Sequence, residues 1–392
     1  MSRNIITGID IGTHQIKVLI IERAQLNNSF IPKILGAGTA ESKGLRHGYI
    51  VNKDDAKKNI QEAISMAERL AGVSVKNAFV SVGGVGLSST NSKGKVSVTR
   101  ADMEVTETDI KNVSDVAEID IPTSITLNRK IIHSVPVEYK LDGQVVLGNP
   151  VGLKGASLEV KMLFITSLEH HLTDLMDVIE SLNIQIEDVI ASPIASSFVS
   201  LSKTQKIAGC VLVNIGSETV SAVVFENNLP ISLEIFPVGG SDITNDIALG
   251  FKLTLEEAEQ VKLGGITPND LSSKKLDEVI NYRLSEIFKL INNHLKKINR
   301  QELLPAGVVI TGGGSASKNI LDLAKKNTNL PSSIAQLNRS SKSHHLNDSS
   351  WSVAYGLCII GMTEGGNKKN KTSEIFRRNW KPVSIWIKQF LP

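Results

Sequence analysis

Two segments of the chain share one pattern of apolar and polar positions. Residues 8–22 read GIDIGTHQIKVLIIE and residues 212–226 read LVNIGSETVSAVVFE, with Gly12 and Gly216 in register, 204 residues apart. In each copy an apolar run rich in Val and Ile meets a Gly-containing polar turn, and a second apolar run follows. This pattern predicts a β-hairpin buried on both faces. A repeat at this distance indicates a duplicated domain.

The turn of each hairpin is a candidate anion site. A tight turn directs consecutive backbone N–H groups into one concavity, where they can hold phosphate oxygens. For either copy alone, a core hairpin without a ligand is the alternative. Two copies that face each other favour a phosphate clamp.

A third glycine cluster ends a buried strand. Residues 308–315 read VVITGGGS, and Ser315 is the expected N-cap of a helix that continues through Leu323. Three adjacent glycines, Gly312, Gly313 and Gly314, permit a flat ligand to approach the backbone closely. The cluster is neither a Walker motif nor a dinucleotide fingerprint, because no Lys-Ser/Thr follows and the spacing differs.

The other periodic segments predict mainly helices. Apolar spacing predicts helices over 52–71, 169–182 and 351–362, and Thr254 with Glu257 forms a capping box before another. A long amphipathic helix carries the apolar stripe Leu276, Ile280, Leu284, Ile287, Ile291, Leu295 and Ile298. Residues 77–167 predict short strands and turns, and residues 325–350 predict a surface loop.

Length and composition indicate a soluble protein of several domains. The chain has 392 residues, of which 41% are hydrophobic and 21% charged. Cys210 and Cys358 lie in apolar runs, which predicts buried thiols in a reducing compartment, by default the cytoplasm. We expect no signal peptide, no spanning helix and no structural transition-metal site. The pairs His170–His171 and His344–His345 lack metal-ligand spacing and are expected at the surface.

The positive charge of the chain is concentrated at its carboxyl end. Of 43 basic and 40 acidic residues, seven basic and one acidic lie in 365–392, so the rest holds 36 and 39. This distribution does not indicate a nucleic-acid-binding body.

After the polar stretch 365–373, residues 374–392 predict an amphipathic helix at a membrane interface. A helix folded back onto the protein is the alternative. The apolar members are Phe376, Trp380, Val383, Trp386, Ile387, Phe390 and Leu391, and the cations suited to anionic lipids are Arg377, Arg378, Lys381 and Lys388.

The two hairpins and the glycine cluster, in this order, resemble the actin, hexokinase and Hsp70 superfamily. Within it the chain resembles the FtsA family of bacterial cell-division proteins. Three segments carry the closer resemblance, namely EYKLDGQVVLGNPVGLKGASLEVK (138–161), FPVGGSDITNDIALGFKLTLEEAEQVK (236–262) and the basic, Trp-containing tail.

The resemblance implies an actin-like α/β duplicated nucleotide-binding fold, with two lobes around a cleft and an FtsA-type inserted subdomain. The implied division is a first lobe (1–84 and 164–201), an inserted subdomain (85–163), a second lobe (202–245 and 305–364) and a helical insertion (246–304). The linker and tail follow. In the family the inserted subdomain makes lateral polymer contacts and recruits later division proteins.

The resemblance also implies ATP and Mg²⁺ as ligands. The implied phosphate-binding residues are Asp10, Gly12, Thr13, His14, Gln15, Asn214, Gly216, Ser217, Glu218, Thr219, Gly239 and Gly240. The implied adenosine contacts are Glu259, Lys262, Gly312, Gly313, Gly314 and Ser315. Asp10 is expected to contact Mg²⁺ through water. Without the resemblance, Glu259 and Lys262 are an ordinary solvated ion pair.

The second hairpin departs from the family pattern. The family usually has an acidic residue at Asn214 and glycines at Ser217 and Glu218, and a neutral amide cannot replace a carboxylate that organises hydrated Mg²⁺. We therefore expect ATP binding with at most weak hydrolysis, so the protein is not expected to be an efficient enzyme. An Asn214 that only hydrogen-bonds the turn is the alternative.

The implied function is a tether between FtsZ filaments and the inner face of the cytoplasmic membrane at the septum. Implied partners are the FtsZ carboxyl-terminal peptide, which Arg283 is expected to contact, further copies of the chain, anionic lipids and later divisome proteins, without nucleic acid. From the residues alone, Arg283 faces water. The alternatives are a PilM-like pilus-assembly protein and a sugar kinase, against which the tail argues.

Overall fold

The computed structural model describes residues 4–26, 29–265, 272–337 and 348–364. Its β-strands are β1 (Ile5–Ile11), β2 (Gln15–Leu26), β3 (Ser29–Glu41), β4 (Leu45–Arg46), β5 (Tyr49–Ile50), β6 (Asn77–Val82), β7 (Ser88–Ser97), β8 (Arg129–Leu141), β9 (Gln144–Val146), β10 (Ser157–Leu168), β11 (Gln185–Ala191), β12 (Cys210–Ile215), β13 (Val220–Glu226), β14 (Leu229–Phe236), β15 (Val308–Thr311) and β16 (Ser332–Ile334). Its α-helices are α1 (Lys53–Ala71), α2 (Glu107–Ile119), α3 (Thr123–Thr126), α4 (Glu169–Glu180), α5 (Ser192–Ser200), α6 (Lys203–Ala208), α7 (Gly240–Phe251), α8 (Leu255–Lys262), α9 (Ser273–Lys297), α10 (Ile320–Thr328) and α11 (Ser352–Glu364).

Two five-stranded sheets have the same topology. The first sheet has the order β11-β6-β1-β2-β3, and the second sheet has the order β16-β15-β12-β13-β14. In each sheet the central strand pairs antiparallel with its hairpin partner and parallel with the strand on its other side. The duplication predicted from the sequence repeat is therefore present in the fold.

A separate middle sheet, β7-β10-β8-β9, lies between β6 and β11 in the chain. Its strands pair antiparallel, and α2 packs on one face through Val113 and Ala117, which are fully buried. The expectation of short strands and turns over 77–167 was wrong here, because β8 and β10 span 13 and 12 residues and α2 is a capped helix. A reciprocal capping box between Thr106 and Asp109 starts α2.

Two helices connect the sheets. α5 follows the last strand of the first sheet, and α11 follows the second sheet but packs on β1 and on α5. The two helices approach so closely that a Cβ on Gly356 would lie 1.9 Å from the Ala195 carbonyl oxygen. This contact holds the helix that ends the first half of the chain against the helix that ends the second half.

The predicted helix signals are largely confirmed. Asn52 caps α1 with its side-chain oxygen and Gly72 ends it in the left-handed conformation. The capping box of Thr254 and Glu257 starts α8. Along α9, Leu284, Ile287, Ile291 and Leu295 are buried, and Leu276, Ile280 and Ile298 pack against the same cluster. Both cysteines are free and buried, as predicted.

Three local predictions were wrong. Ser315 lies in a 3-10 turn rather than at an N-cap, because α10 begins only at Ile320, after Asn319. The segment 325–350 is not one loop, since α10 continues to Thr328 and β16 pairs parallel with β15. His171 is only 4% exposed and packs edge-on against Tyr49, because it lies on the inner face of α4.

Candidate functional site

The two hairpins have equivalent registers. Ile11 pairs with Ile16 across the first turn, and Ile215 pairs with Val220 across the second, so each loop has four residues. One step back, Asp10 pairs with Lys17 and Asn214 with Ser221. The backbone that carries the candidate phosphate donors Gly12, Thr13, His14 and Gln15 is thus repeated at Gly216, Ser217, Glu218 and Thr219.

Asp10 is the carboxylate of the first hairpin, and Ser81 at the end of β6 fixes it. The Ser81 hydroxyl donates to Asp10 Oδ1 at 2.9 Å and accepts from the Ile11 amide at 3.2 Å. Burial raises the pKa of Asp10, while the charge of Lys17 and the Ser81 hydrogen bond act against this effect. A carboxylate in such a place is stabilised by a nearby cation, so this side chain is suited to hydrated Mg²⁺.

The second hairpin is joined to the start of α7 by backbone hydrogen bonds. The amides of Gly240 and Ser241 donate to the carbonyl oxygens of Gly216 and Ser217 at 2.9 and 2.8 Å. A Cβ on Gly239 would lie 2.3 Å from the Ser217 carbonyl oxygen, so only glycine permits this approach. Gly239 and Gly240 therefore hold the amino-terminal end of α7 against the candidate phosphate turn, where the helix dipole contributes positive potential.

Gly312 makes the sharp turn between β15 and the 3-10 turn at Gly313–Ala316. Its φ is +86°, and a Cβ there would lie 2.2 Å from Asn214 Oδ1. Gly314 packs against Ile215 in the same way, whereas a Cβ on Gly313 would meet no atom within 4 Å. Gly313 thus leaves open backbone surface beside the second hairpin, as a platform for a flat ligand requires.

Serine hydroxyls brace this platform. Ser315 Oγ donates to the Gly312 carbonyl oxygen at 2.7 Å and lies 2.7 Å from Ser349 Oγ. Ser315 therefore holds the glycine turn in shape, a role different from the predicted cap.

Glu259 and Lys262 form the predicted ion pair at the end of α8, with 2.6 Å between Oε2 and Nζ. The pair is not simply solvated. Lys262 also donates to the Gly240 carbonyl oxygen at 3.1 Å and to Thr244 Oγ1 at 2.8 Å. Burial raises the pKa of Glu259, but hydrogen bonds from Lys262 and Thr244 outweigh it and lower the pKa below its usual value. The pair joins α8 to α7 beside the second hairpin.

At the hairpin turns, groups of the first half of the chain meet groups of the second half. The His47 amide donates to Glu218 Oε2, and His14 is close enough to Glu259 to help lower the pKa of that carboxyl. The tips of both candidate hairpins therefore face groups of the opposite half, and the site lies between the two sheets.

Sequence reasoning missed Ser81, His47 and Thr244. Ser81 stands at the carboxyl end of a buried strand beside β1, a position where side chains of parallel sheets often reach a ligand. His47 carried a weaker signal in the adjacent Gly48, and Thr244 carried none.

Other predicted site residues lie elsewhere. Arg283 does not face water alone, because Nε and Nη2 donate to both carboxylate oxygens of Asp246 at 2.7 and 2.9 Å, and Nη1 donates to Glu286 at 3.0 Å. The predicted linker 365–373, the amphipathic tail 374–392 and the pair His344–His345 lie outside the described residues.

The described part of the chain has neither a membrane-spanning helix nor a clustered metal site. No helix in 4–26, 29–265, 272–337 or 348–364 is both long and apolar enough to span a bilayer. Within the same ranges, no group of three or more His, Cys, Asp or Glu side chains is placed to hold a metal ion.

Solved structures of similar shape define the class of fold. The PilM–PilN type IV pilus biogenesis complex aligns with a TM-score of 0.67 at 17% identity, over 91% of this chain and 98% of the other. MreB5 of Spiroplasma citri bound to ADP aligns with a TM-score of 0.53 at 14% identity, over 92% and 96%. Together with the duplicated sheets, these similarities define an actin-like α/β protein.

Sequence relatives define the family. The profile described as "Cell division protein FtsA" matches residues 211–356, and "SHS2 domain inserted in FTSA" matches residues 84–166. Cell division protein FtsA of Bacillus subtilis (strain 168) is 30% identical over 339 residues, which cover 81% of this chain and 75% of that protein. The FtsA of Borreliella burgdorferi is 28% identical over 406 residues, covering 97% and 96%. The chain belongs to the FtsA family of cell-division proteins.

Proposed function

We propose that the chain binds ATP between its two hairpins and tethers FtsZ filaments to the inner face of the cytoplasmic membrane at the division septum. The observation that carries the nucleotide part is the equivalent register of the two four-residue turns. Paired turns of this kind present backbone N–H groups from two directions, which suits a chain of phosphates.

The glycine geometry fits such a ligand. The phosphates are assigned to the turns 12–15 and 216–219 and to Gly239 and Gly240. Gly312, Gly313 and Gly314, with Ser315 as brace, are assigned to the adenine side, and Glu259 with Lys262 to the ribose. Asp10 would hold Mg²⁺ through its water shell, and the metal would supply charge neutralisation for the phosphates.

Hydrolysis is expected to be slow because Asn214 stands where a carboxylate would organise Mg²⁺ and water. Isothermal titration of the full chain with ATP and Mg²⁺, paired with a phosphate-release assay, tests both statements. Heat of binding with turnover below about 1 s⁻¹, the low end for ordinary enzymes, is the expected result. No binding of ATP, or faster turnover, would contradict the proposal.

FtsZ recognition is assigned to the helical region around α7 and α9. Arg283 is the candidate contact, and its guanidinium is paired with both carboxylate oxygens of Asp246. A carboxylate of an acidic peptide would have to share or replace one of these partners. Replacing Glu286 breaks one hydrogen bond to Arg283, whereas replacing Asp246 breaks two. We therefore expect the peptide carboxylate to bind on the Glu286 side of the guanidinium.

Membrane attachment is assigned to the tail. Burial of four large side chains, Trp386, Ile387, Phe390 and Leu391, at roughly 1.5 to 3 kcal/mol each gives several kcal/mol before the ordering cost. Basic residues add at most about 1 kcal/mol each near anionic lipid. One tail therefore binds reversibly, and self-association strengthens attachment because neighbouring tails share a high effective concentration.

Liposome co-sedimentation tests the tether. The full chain should sediment with anionic vesicles, and a chain ending at Glu364 should not. Trp386→Glu should abolish sedimentation even at low salt, whereas Lys388→Ala should weaken it mainly on anionic lipid. Sedimentation of the truncated chain or of the Trp386→Glu variant would remove the membrane part of the proposal.

The division of labour among segments is part of the same proposal. The two lobes (1–84 with 164–201, and 202–245 with 305–364) would hold the nucleotide, and 246–304 would receive FtsZ. The inserted subdomain (85–163) would contact neighbouring copies and later divisome proteins.

A further inference from the structure

The Glu218 side chain spans the space between the two halves of the site. Its Oε2 accepts the backbone N–H of His47, which lies in the turn between β4 and β5. His47 Nδ1 also lies 3.3 Å from the Glu218 carbonyl oxygen and 4.0 Å from Oε2. The tip of the second hairpin is thereby tied to the first half of the chain by a side chain rather than by a ligand.

The donor is rigidly placed. His47 has a φ of +49°, in the left-handed region that few residues other than glycine adopt. Its carbonyl oxygen accepts the Val85 amide at 3.1 Å, and Gly48 and Gly84 pack backbone to backbone, since a Cβ on Gly48 would lie 2.4 Å from Gly84 Cα. The turn is thus fixed to the end of β6, and its outward N–H is positioned for an anion.

The Glu218 carboxylate places a negative charge near the proposed phosphates, which are also negative. Glu218 lies in the turn 216–219 that is assigned to the phosphates, and its side chain is 25% exposed. With the adenine on the Gly312–Gly314 platform, as proposed above, the third phosphate of a triphosphate would lie further along the second hairpin than the last phosphate of a diphosphate. A partly buried carboxylate repels a nearby anion more strongly than an exposed one, because solvent screens it less.

We propose that Glu218 determines nucleotide preference by acting as an internal anion that competes with the terminal phosphate. With ADP bound, Glu218 keeps its hydrogen bond to His47 across the site. With ATP bound, the terminal phosphate displaces the carboxylate and the bond to His47 breaks. The inference rests on the proposed nucleotide function and assigns a role to a side chain at which this chain departs from the glycine of the family.

Paired titrations with ADP and ATP in Mg²⁺ test the inference. Glu218→Gln keeps the size and hydrogen-bonding oxygen of the side chain but removes its charge. It should raise the ratio of the ADP dissociation constant to the ATP dissociation constant roughly tenfold, because ATP binding is strengthened. Glu218→Ala, which removes both the charge and the hydrogen bond to His47, should shift the ratio in the same direction. Glu278→Gln, which removes an exposed carboxylate of α9 instead, should leave the ratio unchanged.

The possible outcomes distinguish failure of the Glu218 inference from failure of the proposed nucleotide binding. Failure of the wild-type chain to bind either nucleotide would overturn the proposed function together with this inference. Binding of both nucleotides with an unchanged ratio in both Glu218 variants would overturn the inference alone. Crystal structures of the two complexes give an independent readout, since a His47–Glu218 bond retained with ATP would also overturn it.

Discussion

Lys206 offers a test of how the two halves of the molecule are joined. It lies on α6, in the segment between the two sheets, and is only 7% exposed. Its ammonium lies 5.0 Å from the Phe198 ring centroid and 5.3 Å from that of Phe225, so an aromatic ring from each half faces the cation. Burial lowers the pKa of Lys206 from 10.5 to about 8, with nearby Cys210 acting weakly in the opposite direction.

The direction of the pH effect follows from this pKa. The unfolded chain holds the proton up to about pH 10.5, whereas the folded protein releases it above about pH 8. Between these values the unfolded state binds more protons, so the free energy of unfolding rises with pH. The two pKa values correspond to about 3 kcal/mol, an upper figure because the aromatic contacts favour the charged form. We expect a rise of about 1 to 3 kcal/mol.

The assay is urea unfolding at intervals from pH 7 to pH 10.5, with Lys206→Met as the variant. Subtracting the variant from the wild type removes the other titrating groups, so the difference should rise through the window. Lys203→Met replaces an exposed lysine on the same helix, so the difference in free energy of unfolding between wild type and this variant should not change with pH. A wild-type minus Lys206→Met difference that does not change between pH 8 and 10.5 would refute the reasoning.

Three further predictions concern the site and the core. Asn214→Asp should raise the rate of phosphate release because it restores the missing carboxylate; an unchanged rate with ATP still bound would contradict this. Arg283→Gln should weaken binding of the FtsZ tail peptide in a fluorescence titration and leave ATP affinity unchanged. Lys289→Gln, a control at an exposed residue of the same helix, should leave peptide affinity unchanged. Equal peptide affinity of wild type and Arg283→Gln would count against the site. Gly38→Ala should lower the free energy of unfolding by more than about 2 kcal/mol, because the methyl would lie 2.0 Å from a carbonyl oxygen of α1. Gly250→Ala, where the nearest atom is 3.8 Å away, should cost nothing, and a similar loss in both variants would show that the close approach is not the cause.

Local sequence signals predicted much of the fold. Apolar runs on either side of the turns at Gly12 and Gly216 predicted two hairpins, whose registers match residue for residue. Asn52 and Gly72 marked both ends of α1, because caps act on the backbone next to them. Such signals depend on neighbours in the chain, so one sequence is sufficient to read them.

Signals that depend on distant residues were missed. The helix α2 has a capping box, but its few buried apolar residues gave a weak stripe against the sheet it covers. His171 looked like a surface residue beside His170, but it is buried on the inner face of α4, where its ring packs against Tyr49. Ser315 resembled a cap in sequence, yet its hydroxyl bonds the Gly312 carbonyl oxygen because the chain makes a 3-10 turn first.

Glu218 shows most clearly the difference between what local sequence signals predict and what depends on distant residues. The resemblance indicated that Glu218 stands where the family usually has glycine, in a turn proposed to bind phosphate. It could not indicate where the carboxylate points, because its partner His47 lies 171 residues away in a turn without a motif. The hairpin is set by local pattern, but the electrostatic character of the space between the hairpins is set by the contact of two halves. The effect of a substitution in either hairpin turn therefore depends on the groups of the opposite half that contact the new side chain.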